Sequence, residues 1–126
     1  MLIEFLAPQL LPSFRDQINQ NVGNKFRLVC SIQKGIEPLE FEWFRNGIRL
    51  ITQTSNVHLE FGDDFSNLII TKLSELDSGN YTCRVRNDFG SDQLSVKLNV
   101  QGVMILLLQA PNFFFNLTMA VITNVL

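Results

Sequence analysis

The chain has 126 residues, which allows one compact domain. Its 10 basic and 12 acidic residues leave a net charge of −2, which gives no electrostatic footprint for nucleic acid or an anionic membrane surface. Two cysteines and one histidine are too few and too widely spaced for a zinc site, and the seven glycines are scattered singly and form no phosphate-binding loop.

The middle of the chain alternates with period two, the signature of half-buried strands. In 25–32, Phe26, Leu28, Cys30 and Ile32 share one face, with Arg27, Val29 and Ser31 on the other. In 40–45, Phe41 and Trp43 face one way and Glu40, Glu42 and Phe44 the other. Asn46-Gly47 follows, and this pair supplies the positive φ of a tight hairpin before Ile48–Ile51. Val57-His58-Leu59-Glu60-Phe61 alternates next, then Leu68 and Ile70, followed by Leu73 and Leu76. Tyr81, Cys83 and Val85 alternate with Thr82, Arg84 and Arg86, and Leu94, Val96, Leu98 and Val100 with Gln93, Ser95, Lys97 and Asn99. Gly62-Asp63-Asp64, Asp77-Ser78-Gly79 and Asn87-Asp88-Phe89-Gly90 supply the remaining turns. Short strands with regular turns, and no helical stripe of comparable length, predict an all-β sandwich or barrel.

Catalysis finds no foothold in this pattern. A nucleophile-and-base arrangement would have to be built on His58, which strand parity points outward as an ordinary surface residue.

One constellation is far more specific. Cys30 and Cys83 lie 53 positions apart, each centred in an inward-facing pattern. Trp43 follows the first by 13 positions, and Tyr81 precedes the second by two, inside Asp77-Ser78-Gly79-Asn80-Tyr81-Thr82-Cys83. With Leu68-x-Ile70-x-x-Leu73-x-x-x-Asp77, the Asn46-Gly47 hairpin and Asn87-x-x-Gly90, this set resembles an I-set immunoglobulin domain over residues 7–101. Pro8-Gln9-Leu10-Leu11-Pro12-Ser13-Phe14 and Lys34-Gly35-Ile36-Glu37-Pro38-Leu39 are similar to Dscam-type cell-adhesion molecules.

The resemblance implies an immunoglobulin-like antiparallel β-sandwich at 7–102, between an N-terminal extension (1–6) and an uncharged apolar tail (103–126). It implies a Cys30–Cys83 disulfide between the two sheets, worth about 4 kcal/mol on the chain-entropy view. Trp43 would pack over it, with Leu68 and Ile70 in the core. Tyr81 would form a tyrosine corner, its hydroxyl bonded to upstream backbone, with Asp77 and Gly79 shaping the bend. The strands would be A near 9–11, A′ near 18–22, B at 25–34, C at 40–45, C′ at 49–51, D at 57–61, E at 67–71, F at 80–87 and G at 92–100. Pro8 and Pro12 suit an edge strand that switches sheets.

Function then falls to outward positions. Phe44 is expected outside on the C-F-G face among Glu42, Arg84, Arg86, Gln93, Ser95 and Lys97, an aromatic ringed by charge that suits a binding patch. The rival surface is the A/A′–B–E–D side, where the resemblance to Dscam-type domains implies self-association through Gln17–Asn21 and Asn67–Ile69. Two sequons, Asn80-Tyr81-Thr82 and Asn116-Leu117-Thr118, suit an oxidising secretory compartment, as a disulfide does.

The ends stand apart. Met1–Ala7 is too short for a signal peptide and carries Glu4, which points to a fragment, a partial gene product or a cytosolic I-set protein. All charged residues lie between Glu4 and Lys97, and Val103–Leu126 carries none. That tail is long enough to span a bilayer, but Gln109-Ala110-Pro111-Asn112 breaks it and no basic residue follows. It is a candidate membrane segment, a truncated or read-through end, or a disordered extension.

By resemblance, the expected function is a non-catalytic adhesion or recognition module of a larger secretory-pathway protein on the extracellular side of the plasma membrane. Its partner would be another protein or a second copy of the same domain. No nucleic acid, small-molecule substrate or cofactor is implied, and the membrane is reached only through the tail or the rest of the parent chain. The alternatives are a structural I-set domain of an intracellular filament, whose cysteines stay reduced, and the ligand-binding domain of a growth-factor-type receptor.

Overall fold

The structure, a computed structural model, describes residues 5–51 and 56–102. Asn116 and the rest of the apolar tail lie outside the described residues. Among the described residues nine strands form two sheets: β1 (Gln9–Leu10), β2 (Gln17–Asn21), β3 (Phe26–Lys34), β4 (Glu40–Arg45), β5 (Ile48–Leu50), β6 (Val57–Phe61), β7 (Phe65–Ile70), β8 (Gly79–Asn87) and β9 (Gly90–Gln101). One sheet has the order β1-β3-β7-β6, the other β2-β9-β8-β4-β5. A 3-10 turn, Glu75–Asp77, leads into β8.

The alternation that predicts these strands also sorts their side chains. Leu28, Cys30, Trp43, Leu68, Ile70, Tyr81, Cys83, Val85, Val96 and Leu98 are buried between the sheets. Pairing is antiparallel except for β2, which runs parallel to β9 with Gln17 opposite Lys97. The sandwich is therefore mixed at this one edge, because the chain leaves the first sheet after β1 and enters the second at β2. Pro8 and Pro12 bracket β1, where a missing N–H costs no ladder bond. β7 starts at Phe65, two residues before the expected E strand, and β5 is shifted one residue toward the Asn46-Gly47 turn. In that turn Asn46 has φ 50 and Gly47 φ 82, the left-handed conformation that the pair predicts.

Cys30 and Cys83 are bonded across the sandwich, with Cα atoms 6.5 Å apart. Trp43, opposite Cys83 in register, is fully buried, and the Phe14 ring stacks on it at 6.3 Å between centroids. The indole Nε1 donates to Ser66 Oγ at 2.8 Å, and the Ser66 hydroxyl donates onward to the Glu60 carbonyl at 2.7 Å. The Tyr81 hydroxyl donates to the Asp77 carbonyl at 2.6 Å and closes the bend into β8. Burial pushes the Tyr81 phenol up to about 12; Arg45 pulls it down and Asp77 adds to the rise.

The first strand is held by polar clamps. Asn87 donates its amide to the carbonyls of Leu6 (2.7 Å) and Ile36 (3.0 Å), and Asp92 Oδ2 accepts from Leu10 N at 2.8 Å. Gly35, at φ +130, lets the 34–39 loop pass so close that an added Cβ would stand 2.6 Å from Pro8 Cα.

Candidate functional site

The outward face of the five-stranded sheet is laid out by register. Ser91, Arg86 and Glu40 form one row; Gln93, Arg84 and Glu42 the next; then Ser95, Thr82, Phe44 and Arg49; then Lys97 and Asn80. Phe44 sits half-buried near the middle of this face, between Thr82 and Arg49. Lys97 belongs to the neighbouring row on the far side of β8, so it borders the patch rather than ringing Phe44. The Thr82 and Ser95 hydroxyls are 2.7 Å apart.

Glu42 departs from its expected exposure. Parity does point it outward, yet it is only 9% exposed. Arg49 and Arg86 close over it from the strands on either side, with Arg49 Nε 3.5 Å from Oε2 and Arg86 Nη1 4.0 Å from Oε1. The long arginine side chains cover the carboxylate, an effect that period-two parity does not include. Glu42 Oε1 is buried without a hydrogen bond. Arg86 also donates from Nε to Glu40 Oε1 at 2.9 Å. That hydrogen bond, followed by the Glu42 and Glu40 charges, holds the Arg86 guanidinium proton even more firmly than usual. The result is a chain of alternating charge, Arg49–Glu42–Arg86–Glu40, alongside an aromatic ring. The two exposed ends of that chain contribute little to stability and leave charged groups available to a partner.

The rival surface does not exist as one surface. Gln17–Asn21 lies at the edge of the five-stranded sheet and Asn67–Ile69 in the centre of the other. Asn67 and Ile69 are buried although they point outward. Asn67 donates to Glu60 Oε1 at 2.9 Å, and Ile69 lies in register between Arg27 and His58. What that second face does expose is Leu11, Val29 and Phe65, in adjacent rows. His58 is half-buried on β6. Among the described residues no group of acidic, histidine or cysteine side chains could hold a metal ion, and no helix is long and apolar enough to cross a membrane.

Two sheets pinned by a disulfide under a buried tryptophan, with a tyrosine corner four residues past Asp77, define an immunoglobulin-like domain. Residues 11–100 match the family model described as "Immunoglobulin I-set domain", and the chain belongs to that family. It is 30% identical over 104 residues to human junctional adhesion molecule A, covering 78% of this chain and 35% of that protein. It is 31% identical over 98 residues to human pro-neuregulin-1, membrane-bound isoform, covering 75% of this chain and 15% of that protein. The chain thus spans about a third of the junctional adhesion molecule's length. Among solved structures, the Dscam1 Ig7 domain, isoform 5, superimposes with a TM-score of 0.68 at 23% identity, covering 77% of this chain and 99% of that one. An I-band fragment from titin gives 0.67 at 24% identity, covering 76% and 33%. At these identities the two solved structures share the fold.

Proposed function

We propose that the chain is a non-catalytic adhesion module that binds another copy of itself through the outward face of β4, β8 and β5, on the extracellular side of the plasma membrane. The observation that carries this reading is Phe44, a half-buried aromatic ring at an outward, central strand position between Thr82 and Arg49. Beside it, the Arg49–Glu42–Arg86–Glu40 chain carries both signs, so two such faces can meet without net repulsion. A relative named for junctional adhesion supports the adhesive role. The disulfide supports an oxidising compartment and weighs against the intracellular-filament alternative.

Sedimentation of the purified chain tests this. Phe44→Glu should abolish self-association; unchanged dimerisation would remove the Phe44 face. A second reading, contact through exposed Leu11, Val29 and Phe65 on the opposite sheet, is tested by Val29→Asp in the same assay. Intact mass decides the compartment: a two-proton deficit supports the secretory reading, and free thiols in the native protein support the intracellular one.

A further inference from the structure

We infer that Asn80 is an N-glycosylation site whose glycan borders the recognition face; this rests on the secretory location proposed above. Strand alternation separates the Asn80-Tyr81-Thr82 sequon into two halves. Tyr81 turns into the core, while Asn80 and Thr82 both project from the outward face of β8.

Asn80 is exposed, and its backbone is already satisfied. Its N–H donates to Asn46 Oδ1 at 2.8 Å, and its carbonyl accepts from Asn46 N at 2.8 Å. Its side-chain amide makes no hydrogen bond among the described residues, so a substituent on Nδ2 displaces nothing. Asparagine is a poor strand former, and nothing packed against position 80 requires it. The residue thus has no structural task that competes with the chemical one.

The transfer joins Asn80 Nδ2 to the anomeric carbon of a lipid-linked oligosaccharide diphosphate. A C–N bond forms, the C–O bond to the diphosphate breaks, the lipid diphosphate leaves with that electron pair, and the amide releases one proton. The transferase acts on the extended segment before β8 pairs, because in the folded sandwich the Thr82 hydroxyl is engaged with Ser95 Oγ at 2.7 Å. Once folded, Asn80 lies opposite Lys97 and two residues, about 7 Å, along β8 from Thr82, which pairs with Phe44. The glycan therefore rises at the border of the Phe44 patch and leaves the Glu42–Arg84 and Glu40–Arg86 rows open.

The test is peptide mapping of the full chain, secreted from eukaryotic cells behind a cleavable leader, with and without peptide N-glycosidase. The peptide containing Asn80 should carry a glycosidase-sensitive mass, and treatment should convert position 80 to aspartate. Asn80→Gln and Thr82→Ala should each lose this mass, Thr82→Ser should keep it, and Asn116→Gln should leave it unchanged. A secreted, disulfide-bonded chain with an unmodified amide at Asn80 overturns the inference. If that bare chain still self-associates through Phe44, the recognition reading stands while the glycan fails. If Asn80 is glycosylated and Phe44→Glu changes nothing, the reverse holds.

Discussion

Trp43 and Ser66 join the two sheets by a second link besides the disulfide: the indole N–H donates to the serine hydroxyl at 2.8 Å deep in the interior. Tryptophan beside a disulfide brings bulk, but also a donor that must be satisfied once buried. Ser66, fully buried on β7, accepts it and passes its own hydrogen to the Glu60 carbonyl. Ser66→Ala should therefore cost about 1–3 kcal/mol, the penalty for a buried donor left without a partner, read as a lower midpoint in denaturant unfolding. A loss below about 0.5 kcal/mol would mean that Trp43 finds another acceptor or water.

Tyr81 supplies a pH signature. Its phenol is raised from 10.0 to about 12, so the folded state holds the proton more tightly than the unfolded chain does. The sign follows: the contribution is complete below pH 10, falls as pH rises from 10 to 12, and is gone above the folded value. Unfolding free energy should fall across that window. Tyr81→Phe should lose about 0.5–1.5 kcal/mol at neutral pH, from the missing bond to Asp77, and should flatten this alkaline decline. An identical alkaline slope in the variant would assign the decline to other groups.

The sandwich was legible because its strands are half-buried and their residues alternate; β4 and β6 have the expected limits without adjustment. The Cys30, Trp43, Tyr81 and Cys83 set was legible because each residue answers to one neighbour at a fixed spacing. Glu42 was not, since its burial depends on Arg49 and Arg86, brought beside it by two other strands. Ser66 was equally hidden: a serine in an apolar run carries no sign that an indole will reach it. Asn67 and Ile69 mislead for a related reason, because outward parity does not reveal cover from flanking side chains such as Glu60. The parallel pairing of β2 with β9 comes from a sheet switch that local alternation cannot encode.

Gly35 is irreplaceable on two independent grounds. Its φ of +130 is strained for any side chain, and a Cβ would stand 2.6 Å from Pro8 Cα, a backbone atom that cannot rotate away. Gly35→Ala should lower stability by at least about 1–3 kcal/mol, and a loss of 1 kcal/mol lowers the melting temperature of a domain this size by roughly 4–8 °C. The Leu10 amide to Asp92 bond should open with it, so amide exchange at Leu10 should accelerate more than at Leu98 in the core. Equal acceleration at both would show global destabilisation without local displacement of β1.

Glu42→Gln separates folding from recognition. Glu42 Oε1 has no hydrogen bond to lose, Arg86 keeps its bond to Glu40, and the largely exposed Arg49 returns to water. Stability should therefore fall by no more than about 1 kcal/mol, the value of ion pairs whose arginine partners stay exposed, measured by denaturant unfolding. The face loses one negative charge, so its net charge rises by one, and in a self-association this happens on both copies. Dimerisation of Glu42→Gln should weaken at low ionic strength and recover as salt rises, because partly exposed like charges are screened over a Debye length of about 10 Å at 0.1 M. The unmodified chain, whose face carries the two signs in equal number along Arg49–Glu42–Arg86–Glu40, should show a smaller salt dependence in the same sedimentation series. Parallel salt profiles for the two proteins would place the contact away from this charge chain.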